Sequence, residues 1–177
     1  MRIAMLLSVL LVQDSAEPYY RFKAGTSWKL IQKRDDKEIR VELTVTKLEE
    51  GKTTLESKES RPDGEPRIET MLWHVEKGML MWSIVHDGKA RPLFNLFKVG
   101  SKKGDTWEGD QETQAENMGT EEVKVPAGTY KDVLHVRVTR KGKDDTMDFW
   151  FAPKVGLVKM EIPKKGVTEL TEFKEAP

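Results

Sequence analysis

Alternation is the dominant signal along this chain. In Ile39-Arg40-Val41-Glu42-Leu43-Thr44-Val45-Thr46 the odd positions are apolar and the even ones polar, the two-residue period of a half-buried strand. Glu49-Glu50-Gly51-Lys52 then turns the chain, and residues 53–57 run back. Arg61-Pro62-Asp63-Gly64 is a second turn, since Pro presets one dihedral and Gly accepts the strained one. Two apolar arms, 68–75 and 79–85, are joined at Glu76-Lys77-Gly78. A further hairpin joins 133–139 to 146–151 across Lys141-Gly142-Lys143-Asp144, and another joins 157–162 to 167–173 across Pro163-Lys164-Lys165-Gly166. Turn signals at roughly 8–12-residue spacing predict an all-β sandwich or barrel. No stretch beyond the N-terminal segment carries a helical period. The expectation is a mainly β, single-domain chain: a strongly curved antiparallel meander, half-barrel or barrel-like, of about twelve strands with little helix.

One hairpin departs from simple alternation. In Met71-Leu72-Trp73-His74-Val75 and Met79-Leu80-Met81-Trp82-Ser83-Ile84-Val85-His86 apolar residues fall on both strand faces. A strand apolar on both sides is covered on both sides. The cover is either the protein's own core or a bound apolar ligand, and Met and Trp suit both tasks.

The first sixteen residues read as an export signal. Met1-Arg2 supplies a positive charge, and Ile3–Val12 is an apolar run broken only by Ser8, the short n-region and h-region of a secretory leader. The run is too short for a spanning helix, which needs roughly 20 apolar residues. Gln13-Asp14-Ser15-Ala16 is the expected cleavage region, leaving residues 17–177 as the β-domain. Export places the mature chain in the periplasm or outside the cell.

Composition narrows the chemistry. Thirty Lys+Arg balance thirty Asp+Glu, and the balance survives removal of the leader because Arg2 and Asp14 leave together. A neutral chain argues against nucleic acid, whose readers carry a basic face. The absence of Cys excludes disulfides, thiolate metal sites and cysteine nucleophiles. At 177 residues the chain can bury a sufficient core without a metal or disulfide staple. The charged fraction of 34% exceeds the usual quarter or so and predicts a surface salted with both signs.

No catalytic constellation emerges. His74 and His86 lie towards opposite ends of one hairpin, too far offset to share a metal, and no H-E-x-x-H spacing occurs. His135 has parity opposite to Leu134, Val136 and Val138, which assigns it to the solvent face. The carboxylates at Asp105, Glu108, Asp110 and Glu112, and at Asp144, Asp145 and Asp148, lack the spacing of a calcium loop and read as turn and solvent-face residues. There is no G-x-S-x-G elbow. Gly100-Ser101-Lys102-Lys103-Gly104 lacks the ending of a phosphate-binding P-loop and reads as a plain loop. No cofactor is expected.

The C-terminal third carries a pattern. Val125-Pro126-Ala127-Gly128-Thr129-Tyr130, then Val133 and Val136, then Phe149-Trp150-Phe151-Ala152-Pro153 with Val155-Gly156-Leu157-Val158-Lys159, then Glu169-Leu170, is similar to a set of uncharacterised secreted bacterial proteins. Upstream, Lys98-Val99-Gly100 and Gly104-Asp105-Thr106-Trp107-Glu108 resembles an element that precedes these, here divided by Ser101-Lys102-Lys103. Lys154 stands where that family usually has Gly. The resemblance covers residues 98–173. It implies a highly curved antiparallel sheet, related to the half-barrel of lipoprotein-localisation factors of the LolA/LolB type, which hold acyl chains in the concave face.

These readings point to an exported, non-catalytic β-domain of the cell envelope. Its concave face would bind an apolar or lipid-like ligand, or a protein partner, through Trp73, Trp82, Phe149 and Phe151. The competing reading is a structural envelope protein whose concave face is filled by its own side chains. A hydrolase without a recognisable motif is the third. The sequence assigns no oligomeric state.

Overall fold

The alternating segment becomes the second strand of a long sheet, its apolar residues inward: Leu43 and Val45 are buried, and Ile39 and Val41 half-buried. The computed structural model describes residues 19, 21–34, 37–60, 64–109, 112–142 and 145–177. The expected export signal, Arg61-Pro62-Asp63 and Lys143-Asp144 lie outside them. The elements are twelve strands: β1 (Ser27–Arg34), β2 (Lys37–Glu49), β3 (Lys52–Ser60), β4 (Arg67–Glu76), β5 (Met79–His86), β6 (Lys89–Lys98), β7 (Thr106–Glu108), β8 (Thr113–Val125), β9 (Gly128–Arg140), β10 (Thr146–Ala152), β11 (Gly156–Ile162) and β12 (Gly166–Lys174).

All twelve form one sheet in the order β6-β5-β4-β3-β2-β1-β12-β11-β10-β9-β8-β7, and every neighbouring pair is antiparallel. The predicted meander is therefore present, and it curls into a nearly closed barrel. β1 holds the two ends of the chain together, pairing Ser27–Arg34 with β2 on one side and residues 27–33 with β12 on the other. The seam falls in the middle of the chain, between β6 and β7.

Curvature has local causes. Register shifts interrupt β1/β12 at Lys29/Leu30, β2/β3 at Val45/Lys47, β5/β6 at two places, β8/β9 at two places and β10/β11 at Trp150/Phe151. Each extra residue bends its strand and increases the local twist, which a sheet needs in order to close.

Inward side chains form one core. Trp28, Leu30, Leu55, Trp73, Leu80, Val136, Val138, Phe149, Phe151 and Leu170 are essentially inaccessible. The outward face is charged, with the cross-strand pair Lys29–Glu172 at 2.8 Å and, within β11, Lys159–Glu161 at 2.7 Å. Exposed pairs of this kind contribute well under about 1 kcal/mol each, but they define the face. A lipid-spanning barrel has the opposite polarity, apolar outside. Among the described residues no helix is long and apolar enough to cross a membrane.

The hairpin predicted to be apolar on both faces is covered unequally. Trp73 and Leu80 are fully buried, whereas Leu72, His74 and Met81 are only half-buried. The stronger two-sided strand is β10, where every residue from Met147 to Ala152 is buried.

Candidate functional site

Of the four aromatic residues singled out in the sequence, Trp73, Phe149 and Phe151 are buried in the core and Trp82 is half-buried against it. Trp73 and Trp82 are direct cross-strand partners, with ring centroids 6.3 Å apart and nearly perpendicular. Trp82 meets Phe94 of β6 at 6.1 Å, and Phe94 meets Phe149 across the barrel at 5.8 Å. Phe149 stacks on Phe151 at 6.5 Å. The chain of rings continues in both directions: Phe151 touches Phe97, and Phe97 touches Tyr19; Trp73 touches Trp28, and Trp28 touches Phe22. Most of these contacts are tilted or edge-to-face within the 4.5–7 Å range that aromatic quadrupoles favour. The indole N–H groups of Trp73 and Trp82 are buried without an acceptor, so these two rings contribute apolar contact alone.

The spine ends at a cleft. A half-open space of about 480 Å³ is lined by Tyr19, Phe97, Lys98, Gly100, Ser101, Lys103, Asn117, Gly119, Thr120 and Leu134. Its apolar lining is Tyr19, Phe97 and Leu134, the last two buried, and its two lysines are exposed. None of the four aromatic residues named from sequence lines it; Phe151 reaches it through Phe97. A second hollow, of about 360 Å³, lies on the outer side among Lys29, Arg40, Glu42 and Lys58. Its lining mixes these charges with Leu30, Ile31, Val41, Ser60 and Thr171.

The rim of the first cleft is tied to the barrel by a dense set of hydrogen bonds. Asn117, 4% exposed, donates from Nδ2 to the carbonyl and hydroxyl oxygens of Ser101 at 3.1 and 3.0 Å. The amide of Gly104 donates to the Asn117 carbonyl, and the amide of Asn117 to that of Asp105. The Asp105 carboxylate accepts from the Lys102 amide at 2.9 Å. The loop read from sequence as plain is therefore pinned to β8. Gly119 is required there: at φ +100°, it has the Lys103 side chain lying across it, and a Cβ would come within 3.0 Å of Lys103 Cδ.

A second polar arrangement sits on the outer face. Asp148 Oδ1 lies 2.7 Å from His135 Nε2 and accepts from Arg137 Nε at 2.9 Å. The Glu121 carboxylate accepts from Trp150 Nε1 at 2.6 Å and lies 3.4 Å from His135 Nδ1. The imidazole stacks on the Trp150 indole at 4.5 Å, and Lys159 Nζ stands 4.6 Å from the same ring. The expectation that His135 and Asp148 are solvent-face residues needs correction. Their side chains are only 13% and 12% exposed, because Trp150 of β10 lies over the β9 row. Strand parity gave the correct side of the sheet, but it could not foresee that an outward indole would cover that side. The carboxylates flank the imidazole on opposite edges, which fixes the ring and does not form a chelate. Among the described residues no group of three or more His, Asp or Glu side chains is placed to hold a metal ion.

Sequence reasoning missed Tyr19, Phe97 and Leu134. They come from the segment before β1, from β6 and from β9, and only barrel curvature assembles them. No family model matches the chain, and no curated protein matches it. Among solved structures, a protein of Bacteroides fragilis, named as a "putative exported protein with YmcC-like fold", matches with a TM-score of 0.57 at 14% identity, covering 89% of this chain and 99% of that one. The likeness is one of fold. The YmcC-like arrangement thus accommodates sequences that share few residues, as expected where alternation and turn chemistry specify a meander. A hypothetical protein of Chlamydia trachomatis gives a TM-score of 0.41 at 9% identity, over 92% of this chain and 93% of that one.

Proposed function

We propose that this is an exported, non-catalytic barrel of the cell envelope, periplasmic or extracellular, that binds an apolar or lipid-like ligand at one end of its interior. One observation carries the reading: the aromatic spine ends in a half-open cleft of about 480 Å³ floored by Tyr19, Phe97 and Leu134. That size lies within the roughly 300–1,000 Å³ of small-molecule sites. Export is supported by the charged, apolar and cleavable pattern of residues 1–16, and by the name of the Bacteroides fragilis protein of like fold. The non-catalytic reading rests on the lack of any nucleophile or metal motif in the sequence.

A structural envelope role is the second reading, favoured by the ring-to-ring packing of Trp73, Trp82, Phe94 and Phe149. There the protein's own side chains fill the space that a ligand would need. Native mass spectrometry of the protein purified from its own host separates the two. A co-purifying apolar small molecule is the expected result. A clean apo mass, unchanged after gentle extraction, would overturn the ligand reading in favour of the structural one.

A further inference from the structure

We infer that the ligand of this cleft is a single-chain amphiphile with an anionic head, its chain lying on Phe97, Leu134 and Tyr19 and its head held by Lys98 and Lys103. The inference rests on the ligand-binding reading above and adds the head-group chemistry.

Charge is the first argument. The whole chain is neutral, with 30 acidic and 30 basic side chains, yet the cleft lining contains two lysines and no carboxylate. Both lysines are exposed, and among the described residues neither is paired with a carboxylate. The Asp105 carboxylate of the same loop is engaged by the Lys102 amide, and the Asp132 carboxylate acts on the Tyr19 phenol without lining the cleft.

Polarity points the same way. Phe97 and Leu134 form a floor with little of their surface left accessible, 3% and 7%. Ser101 and Thr120 line the cleft beside the lysines. An apolar floor under a cationic mouth matches one molecule with both characters, and it penalises a cationic or purely polar one.

The mouth is also built. Lys103 lies over Gly119, which has room for it only because glycine has no side chain, and the loop bearing it is fastened to β8 through the buried Asn117.

The test compares three probes with the same chain, dodecanoate, dodecanol and dodecyltrimethylammonium, each below its micelle concentration, by intrinsic tryptophan fluorescence and calorimetry. Dodecanoate should bind at least ten times more tightly than the other two, and added salt should weaken it. The double variant Lys98→Gln/Lys103→Gln should lose that preference, about tenfold or more in dodecanoate affinity, with dodecanol unchanged. Both positions are exposed, so folding should be unaffected; Lys164→Gln/Lys165→Gln, at a distant hairpin turn, is the control and should bind like the native chain. Equal binding of dodecanoate and dodecanol, unaltered in the Lys98/Lys103 variant, would overturn the head-group inference while leaving an apolar site standing. Failure of all three probes to bind would overturn both.

Discussion

Trp107 of β7 donates its indole N–H to the main-chain carbonyl of Asn95 on β6 across 3.3 Å. Asn95 answers twice: its amide donates to the Gly109 carbonyl at 3.0 Å, and its side-chain Nδ2 to the Glu108 carbonyl at 3.0 Å. One residue thus bridges the interval where the twelve-stranded ladder lacks a neighbour. A barrel that closes through a few bonds in place of a full ladder is expected to open first at that point. Asn95→Ala removes only the side-chain bond and should cost about 1 kcal/mol. Trp107→Phe removes the indole donor and should cost a similar amount. The double variant should lose at least their sum, because both act on one seam. Denaturant midpoints would measure the costs, and faster hydrogen exchange at the Asn95 amide would place them. Unchanged exchange at Asn95 in the double variant would show that the seam is held elsewhere.

One oxygen of the Asp148 carboxylate meets two groups, the His135 imidazole at Nε2 (2.7 Å) and the Arg137 guanidinium at Nε (2.9 Å), while the side chain is 12% exposed. Removing it leaves a covered imidazole and a guanidinium without their acceptor. Asp148→Ala should therefore destabilise by about 3 kcal/mol, and Asp148→Asn by less because the amide oxygen still accepts. Thermal unfolding compares the two. If both variants melt with the native protein, the outer network is ornamental to stability.

Much of the fold was legible from residues 37–60 and from the turns, because alternation and Gly-containing reversals are local properties. The closure was not. β7 is only three residues long, and nothing in Thr106-Trp107-Glu108 announces a strand that meets β6. The cleft was illegible for a related reason: Tyr19, Phe97 and Leu134 are far apart in sequence and are joined only by curvature, which arises from bulges that leave little trace in pattern. Trp73, Trp82, Phe149 and Phe151 were readable as core aromatics, since large apolar residues with the correct parity turn inward in any barrel. Whether such residues face a ligand or one another depends on volume, which periodicity does not encode.

Lys154 follows the strand-ending Pro153 with φ +64°, a left-handed conformation that costs a side-chain-bearing residue about 1–2 kcal/mol. Glycine adopts it freely but gives back some of the gain through the greater freedom of the unfolded chain. Lys154→Gly should therefore stabilise by about 0.5–1 kcal/mol, raising Tm by about 1–4 °C for a chain of this size. Calorimetry checks it, and a lower Tm would show that the lysine side chain compensates for its own strain.

Burial, with a smaller contribution from Asp132, pushes the Tyr19 phenol above its ordinary value, and burial does the same to Tyr130. The folded state then holds the phenolic proton more tightly than the unfolded chain. This stability is intact below pH ~10 and is lost as pH rises through the raised folded value. Urea midpoints measured from pH 9 upward should fall, and Tyr19→Phe should fall less steeply because its share of the linkage is gone. Parallel curves for the two proteins would remove Tyr19 from the account.

Gly166 opens β12 at φ +81° in contact with β1: a Cβ there would sit 1.9 Å from the Lys33 carbonyl oxygen and 2.9 Å from its carbon. Those atoms are backbone and cannot swing aside. Gly142 has nearly the same conformation, φ +73°, but nothing within 4 Å of its missing side chain. The pair separates conformational strain from collision. Gly142→Ala should cost about 1 kcal/mol, the price of the left-handed backbone alone. Gly166→Ala should cost more than about 3 kcal/mol, because it must also displace the strand that joins the two ends of the chain. Denaturation of the two variants side by side measures the difference. Equal losses would mean that β1 and β12 can move apart without harm, and that the β1–β12 junction does not hold the barrel closed.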